Sequence, residues 1–469
     1  MTAADLRGVT AAEPGIATAA TATLADWIHE MCSAAMPSEV AHQVRRLVID
    51  YLAAAVVGAG TEVAQGVRAV VAQMYPGDRA RIIGGGRASA AGAALANGTA
   101  AHALDIDDGY TPGSVHPSAA TLPAIFAVAD QADPDTLVRA IATAVEVTCR
   151  IARAGHPATR EAGFHNTALA GVLGAAAGVS VVLGSDRETI ASALGVAASH
   201  AGGLFEFLGS GAEVKRLHAG KAARDGLLSA YLARHGVSGP ATALEGHDGY
   251  FHAFAGDRWR PADLLDGLGQ QWALRDTYVK VYPCCRHLHS AVDAVLELRA
   301  SHDIDPARVT EIRVETYAVA AAHAHTRTDS LIDAQMSMPY AIAASLLNGQ
   351  LGLTEFTAAQ RNRHDAAALA SRVRIGTDPA LDDRYPRERP ARVTISRSGL
   401  PDLCREVAQP RGEPARPLTD AELEAKFHVL AGPILGERRA ARTVAAAWSF
   451  EDPDMMLADL ADRHEGDDR

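Results

Sequence analysis

Apolar positions recur at helical spacing from about Leu24 to Gly267. Val40, Val44, Leu47, Val48, Tyr51 and Leu52 make one such stripe, with Ser38 placed to cap it, and Leu137–Ala152 and Arg187–His200 repeat the pattern. The most apolar window, Thr167–Gly184, is long enough to cross a bilayer. It is built of Ala, Gly and Val, which give little transfer energy, so it reads as a buried helix. After Trp272 the period changes from helical to alternating. Val309–Tyr317 and Ala391–Arg397 read as half-buried strands, Arg372–Gly376 as a brief one, and Met338–Leu347 as a helix between them. Thr419 is placed to cap a further helix over Thr419–Leu430. The chain thus predicts a mainly α fold with a second, smaller α+β domain.

With 469 residues there is length for two to four domains, and an aromatic share of only 5% suits close-packed helices of small residues rather than a sandwich. The net charge of −12, without a long basic run, predicts no nucleic-acid partner. Five scattered cysteines exclude a disulfide framework, and no signal-peptide pattern opens the chain. These features predict a soluble, cytoplasmic protein without membrane association. Residues 2–23 are expected to be loosely docked, and the acidic tail after Pro453 to fray. Gly84-Gly-Gly86 lacks the third glycine of a dinucleotide loop and reads as a turn before a helix.

Four clusters carry candidate chemistry. His102-Ala-Leu-Asp105-Ile-Asp107-Asp108, followed by His116-Pro-Ser118, is open to three readings: a capping network, a His/Asp metal site, or a histidine held in one tautomer by an aspartate. His165 precedes the longest apolar helix, where the positive end of the dipole favours a neutral ring and the free N–H groups suit an anion. Lys215, Arg216, His218 and Lys221 follow the loop Gly209-Ser-Gly211, among small residues that aim some of the cations inward. Lys280, Cys284, Cys285, Arg286, His287 and His289 lie where the helical texture ends, a common place for a ligand cleft. Neutral bases beside cations suit proton abstraction next to a carboxylate.

The same stretches resemble the MmgE/PrpD family, which includes 2-methylcitrate dehydratases, cis-aconitate decarboxylases and an iminodisuccinate epimerase. The resemblance runs through His102–Asp108 with His116–Ala120, Gly163–Gly171, Val214–Ala223, Leu244–Tyr250, Val279–His289, Met338–Gly349 and Pro417–Phe427, in family order. It implies a large helical domain from residues 24–269 and the C-terminal helices of 405–455. A smaller α+β lid, 270–404, is inserted between them, with the active site in the cleft. It further implies a homodimer and no obligatory cofactor or metal. By the resemblance His102, His165, Lys215 and Lys280 are catalytic. Asp105 and Asp108 are expected to support His102, and Arg286 and His287, which fall in the family's inter-domain loop, are expected with Arg216 to meet substrate carboxylates. Three departures stand out: Ile106 and Gly109 in the first motif, the Tyr110–Ser114 insertion, and Cys285 where the decarboxylases have a histidine.

The expected activity is that of a lyase or isomerase acting on a small di- or tricarboxylate. Dehydration of a 2-methylcitrate-like acid comes first, then epimerisation or decarboxylation on the same scaffold. Two readings outside this class are a metal-dependent lyase using His102, Asp105 and His116, and a polycarboxylate-binding protein without turnover.

Overall fold

The computed structural model describes residues 19–207, 212–451 and 453–461. Among the described residues nine long helices come first: α1 (Ala20–Met31), α2 (Ser38–Gly58), α3 (Glu62–Met74), α4 (Ala90–Ala101), α5 (Pro117–Phe126), α6 (Pro134–Gly155), α7 (Asn166–Val182), α8 (Arg187–His200) and α9 (Val214–Arg234). Their apolar stripes close over one large core. At its centre α7 is buried along its whole length, against α6, α9, α5 and α8. The bilayer-length window is therefore covered by protein. Among the described residues no single helix is long and apolar enough to cross a membrane.

Small residues set the approach of these helices. Gly98 of α4 and Gly220 of α9 meet at the crossing: a Cβ on Gly220 would lie 2.2 Å from the Leu95 carbonyl oxygen and 2.5 Å from Thr99 Oγ1. Gly220→Ala must push α9 off α4, which costs about 1–3 kcal/mol by analogy with overpacked cores. We expect the urea midpoint to fall accordingly, and turnover with it, because α9 also carries Lys215 and His218. An unchanged midpoint would show that the two helices part freely.

The second core lies over residues 281–407. Strands β1 (Val309–Thr316), β2 (Val373–Thr377), β3 (Ala391–Arg397) and β4 (Leu400–Val407) form a sheet of order β2-β1-β3-β4, with only the β1–β2 pair parallel. Ile312, Val314, Val393 and Ile395 are completely buried beneath α10 (His289–Ser301) and α11 (Met338–Asn348). Strand β4 is absent from the periodicity reading because it is an exposed edge. It carries Pro401, Asp402 and Arg405 rather than an alternating apolar face.

The chain then returns to the first core through α12 (Asp420–Leu435), which packs on α2, followed by α13 (Glu437–Ser449) and α14 (Pro453–Ala461). Thr419 caps α12 in a reciprocal box with Glu422. Three local expectations are corrected. Pro37, not Ser38, stands at the N-cap of α2, while the Ser38 hydroxyl turns to Glu39. Residues 20–23 are docked: α1 begins at Ala20, and Thr21 is buried with its hydroxyl on Glu245. Beyond Pro453 the chain forms α14, whose Met456, Leu457 and Leu460 are buried. Residues 2–18, Gly209–Gly211 and 462–469 lie outside the described residues.

Beside the clusters singled out above, residues 104–110 are tied to the chain leading into the second core and to that core itself. Gly109 and Tyr110 pair antiparallel with Tyr278 and Thr277. The Gln335 amide donates to the carbonyls of Leu104 (2.8 Å) and Pro283 (3.0 Å).

Candidate active site

The turn after α4 builds the centre of the site. His102 takes the C-cap position, and three residues later Asp105 adopts a left-handed backbone, φ 57°. Aspartate tolerates that conformation better than most residues, at some strain. The turn presents both the Asp105 carboxylate and its carbonyl to the same two side chains. Lys215 Nζ lies 2.5 Å from Oδ1. Lys280 Nζ lies 2.9 Å from Oδ2 and donates to the Asp105 carbonyl at 3.0 Å. Burial opposes charge on Asp105, but the two ammonium groups outweigh it and hold the carboxyl far below its usual range. Lys280 is correspondingly raised despite its own burial, held by Asp105.

Asp105 therefore pairs with lysines and does not support His102. That role belongs to Asp107, whose Oδ2 accepts from His102 Nδ1 at 2.8 Å and lies 3.4 Å from His116 Nδ1. Asp108 is also displaced from the expected role. It accepts from the Ser118 hydroxyl (2.8 Å) and backbone N–H (3.3 Å), and burial with Asp50 and Asp107 nearby pushes its carboxyl well above the usual range. Alternation along this tight turn sends neighbouring carboxylates to different partners, which spacing alone does not reveal.

Four imidazoles line up beside the turn. His102 and His116 lie 4.8 Å apart by ring centroid, His102 and His165 are stacked at 5.8 Å, and His165 Nδ1 is 2.9 Å from His218 Nδ1. The His102 side chain has no exposed surface, and its Nε2 is without a partner among the described residues; the His116 side chain is 13% exposed. His116 Nδ1–H donates to the Asp108 carbonyl at 2.7 Å, which leaves Nε2 as the ring's basic nitrogen. His116 belongs to the cluster with three open readings and is not among the residues that the resemblance makes catalytic. The fold makes it the more accessible ring of the pair, with His102 behind it.

Burial is the main reason that His102, His165 and His218 are held below the usual imidazole value, His218 to about 4. The helix-dipole argument for a neutral His165 thus has the right direction, but burial dominates. In the unfolded chain these rings titrate near ~6.5. Below that pH the unfolded state binds protons that the folded state does not, so stability falls on acidification. Each fully buried ring contributes up to about 1.4 kcal/mol per pH unit, and the raised Asp108 acts in the opposite direction. We expect urea midpoints to drop between about pH 6.5 and 5. A flat profile would mean that the rings are already protonated in the fold.

The remaining expected residues are placed less directly. Arg216 is buried against Glu213 at 2.7 Å. Arg286 is buried over the Tyr278 ring, its Nε donating to Glu413 at 3.0 Å, while Nη2 is without a partner among the described residues. His287 and His289 diverge, one to the Tyr317 hydroxyl (2.7 Å), the other to Arg286 (2.8 Å). The Gly109 departure has a packing cause: a Cβ there would lie 2.3 Å from the Tyr278 hydroxyl. Ile106 is a buried core position with Ala54, Ala103 and Leu104.

His102, Asp107 and His116 bring potential ligand atoms within 4.8 Å of one another, a donor set that suits zinc or manganese. The expected metal trio held Asp105 in place of Asp107; Asp105 is taken up by the lysines.

Comparison with known proteins matches the MmgE/PrpD N-terminal domain to residues 22–262 and the MmgE/PrpD C-terminal domain to residues 282–452. A cis-aconitate decarboxylase of Aspergillus terreus is 26% identical over 445 residues, covering 89% of this chain and 90% of the relative. The cis-aconitate decarboxylases of Mus musculus and Homo sapiens are each 26% identical. Both alignments cover 92% of this chain, with 91% of the mouse and 92% of the human protein. With both domains matched in order across the helical core, the turn that carries the lysine–aspartate cluster and the α+β unit, the chain belongs to the MmgE/PrpD family.

Proposed function

We propose that this lyase-type enzyme moves a proton next to a carboxylate in a small di- or tricarboxylate, and that decarboxylation of a cis-aconitate-like acid is its first candidate reaction. The decarboxylase relatives support that order over the 2-methylcitrate dehydration expected from the sequence. Cys285, where the decarboxylases carry a histidine, is the feature that keeps dehydration as the second candidate. The observation that carries the proposal is one buried turn with two lysines on Asp105 and a His–Asp–His group beside them.

In this reading Lys215 and Lys280 release Asp105 in part and hold substrate carboxylates while negative charge develops on carbon. In decarboxylation the C–C bond breaks, CO2 leaves and the electron pair stays on carbon. His116 in its protonated form then supplies the proton; His165, kept neutral by burial, is not placed in that step. In dehydration the same imidazole first takes the proton from carbon, and hydroxide leaves as water after protonation. His102 is reassigned as the ring that orders the group, through Asp107. Homodimerisation, implied by the resemblance, is part of the proposal and is read by light scattering.

Proton NMR in D2O with cis-aconitate, 2-methylcitrate and substituted succinates tests it, comparing wild type with His116→Gln. Loss of CO2 from cis-aconitate with deuterium entering the product is the expected result; an alkene from 2-methylcitrate would select dehydration. No exchange with any member of the panel would end the carbon-acid reading. The His102–Asp107–His116 trio favours one second reading, a metal-assisted lyase. Elemental analysis before and after chelation, with activity followed in parallel, separates the two.

A further inference from the structure

Cys284 and Cys285 are neighbours in sequence and opposites in environment. Cys284 is completely buried, and burial pushes its thiol well up. Cys285 is partly exposed, and its sulfur lies 3.6 Å from His323 Nε2. The other His323 nitrogen, Nδ1, is 3.1 Å from the Met336 carbonyl and donates to it, which fixes Nε2 toward the sulfur. Behind the pair, the Cys285 N–H donates to the Gln335 carbonyl at 2.9 Å, and the Gln335 side chain is clamped to Leu104 and Pro283. A nucleophile, a base and a group that orients the base are thus held at the join of the two cores, next to the Asp105 turn. None of the steps proposed above uses them.

We propose that Cys285 and His323 form a nucleophilic pair, a covalent modification site for soft electrophiles that carry a carboxylate. The groups facing the sulfur are His323, the backbone N–H of His287, Cys284 and Asp105. Burial would raise the Cys285 thiol, but His323 and the His287 N–H bring it below its ordinary value. The thiolate in turn pushes His323 up to about 9. The natural partner class is an alkene conjugated to a carboxylate. The sulfur electron pair forms a bond to the β-carbon, the π pair moves to the α-carbon, and that carbon takes the proton from His323 Nε2. Nothing is oxidised and no group leaves. Guidance of the carboxylate comes from Lys215 and Lys280, which hold Asp105, a carboxylate whose charge reaches the sulfur. The carboxylate preference rests on the proposed function; the nucleophile itself does not.

The test reads alkylation of each cysteine in the intact protein by peptide mass spectrometry, using iodoacetamide and iodoacetate. With either probe an S–C bond forms, the C–I bond breaks and iodide leaves. At about pH 7 Cys285 should react faster than Cys404, which is exposed. Its rate should change less than about twofold up to pH 8.5, where an ordinary thiol gains steeply with its thiolate fraction. His323→Gln should restore the steep rise. The iodoacetate-to-iodoacetamide rate ratio should be higher at Cys285 than at Cys404. The nucleophile is overturned if Cys404 outpaces Cys285, or if His323→Gln leaves the pH profile unchanged. Equal ratios at the two cysteines with a flat Cys285 profile would overturn the carboxylate class alone, and with it the cation role of the lysines. Should the variant fail to fold, Cys285 against Cys404 in native and urea-unfolded wild type still decides the matter.

Discussion

Asp105→Asn is expected to abolish measurable turnover and to destabilise the protein by roughly 3–5 kcal/mol, the effect of stripping one partner from a buried ion pair. The substitution is chosen because asparagine also tolerates the left-handed backbone at φ 57°, so the turn is kept and only the charge is lost. Lys215 and Lys280 then face each other without a counterion, one 10% exposed at the side chain and the other 2%. The acid limb of stability changes too. The Asp105 carboxyl is depressed in the fold, so its contribution is present above the unfolded value near ~3.9 and is lost as the pH falls below it. The variant should lack that limb. Urea unfolding at several pH values reads both effects. A variant as stable as wild type, with the same acid limb, would show that the lysines find other partners and that the Asp105 cluster does not organise the site.

Asp107→Asn is expected to lower kcat by about 10²–10⁴-fold while KM changes little. Asp107 Oδ2 accepts from His102 Nδ1 and lies beside His116 Nδ1, so its carboxylate fixes which nitrogen of His102 carries the proton. An amide at that position can donate instead of accept, and the ring would then turn over to the other tautomer. The pH profile of kcat should shift along with its magnitude, which a purely structural role would not produce. If kcat holds and KM rises, Asp107 orders the substrate pocket rather than the proton, and His116 works without it.

The elements were legible wherever one face is buried and the period is clean. Arg187–His200 is a helix over the residues that its spacing marks, and Ala391–Arg397 is a strand over the residues that alternate. Strand β4 was not legible, because an exposed edge obeys no apolar period. Helix α14 was missed for a different reason. Its Met456, Leu457 and Leu460 are few and set among acids, and only the surface they dock on gives them weight.

The candidate site divides the same way. The family resemblance marked His102, His165, Lys215 and Lys280 as one group, and the structure places the two lysines on Asp105 and the two imidazoles beside the same turn. Which carboxylate serves which partner was not contained in the sequence. Asp105, Asp107 and Asp108 differ by one or two positions, yet face lysines, imidazoles and a serine, because a left-handed residue at 105 redirects the turn. The same holds for Cys284 and Cys285, whose chemistry is set by how much water and which ring each one meets. The helices, the change to alternating strands and the inventory of bases and cations are readable in the chain alone, since these follow from local periodicity and side-chain chemistry. The pairings came from the folded arrangement. Hydrogen bonds, burial and charge coupling act over a few ångströms between residues far apart in the chain, 175 positions for Lys280 and Asp105.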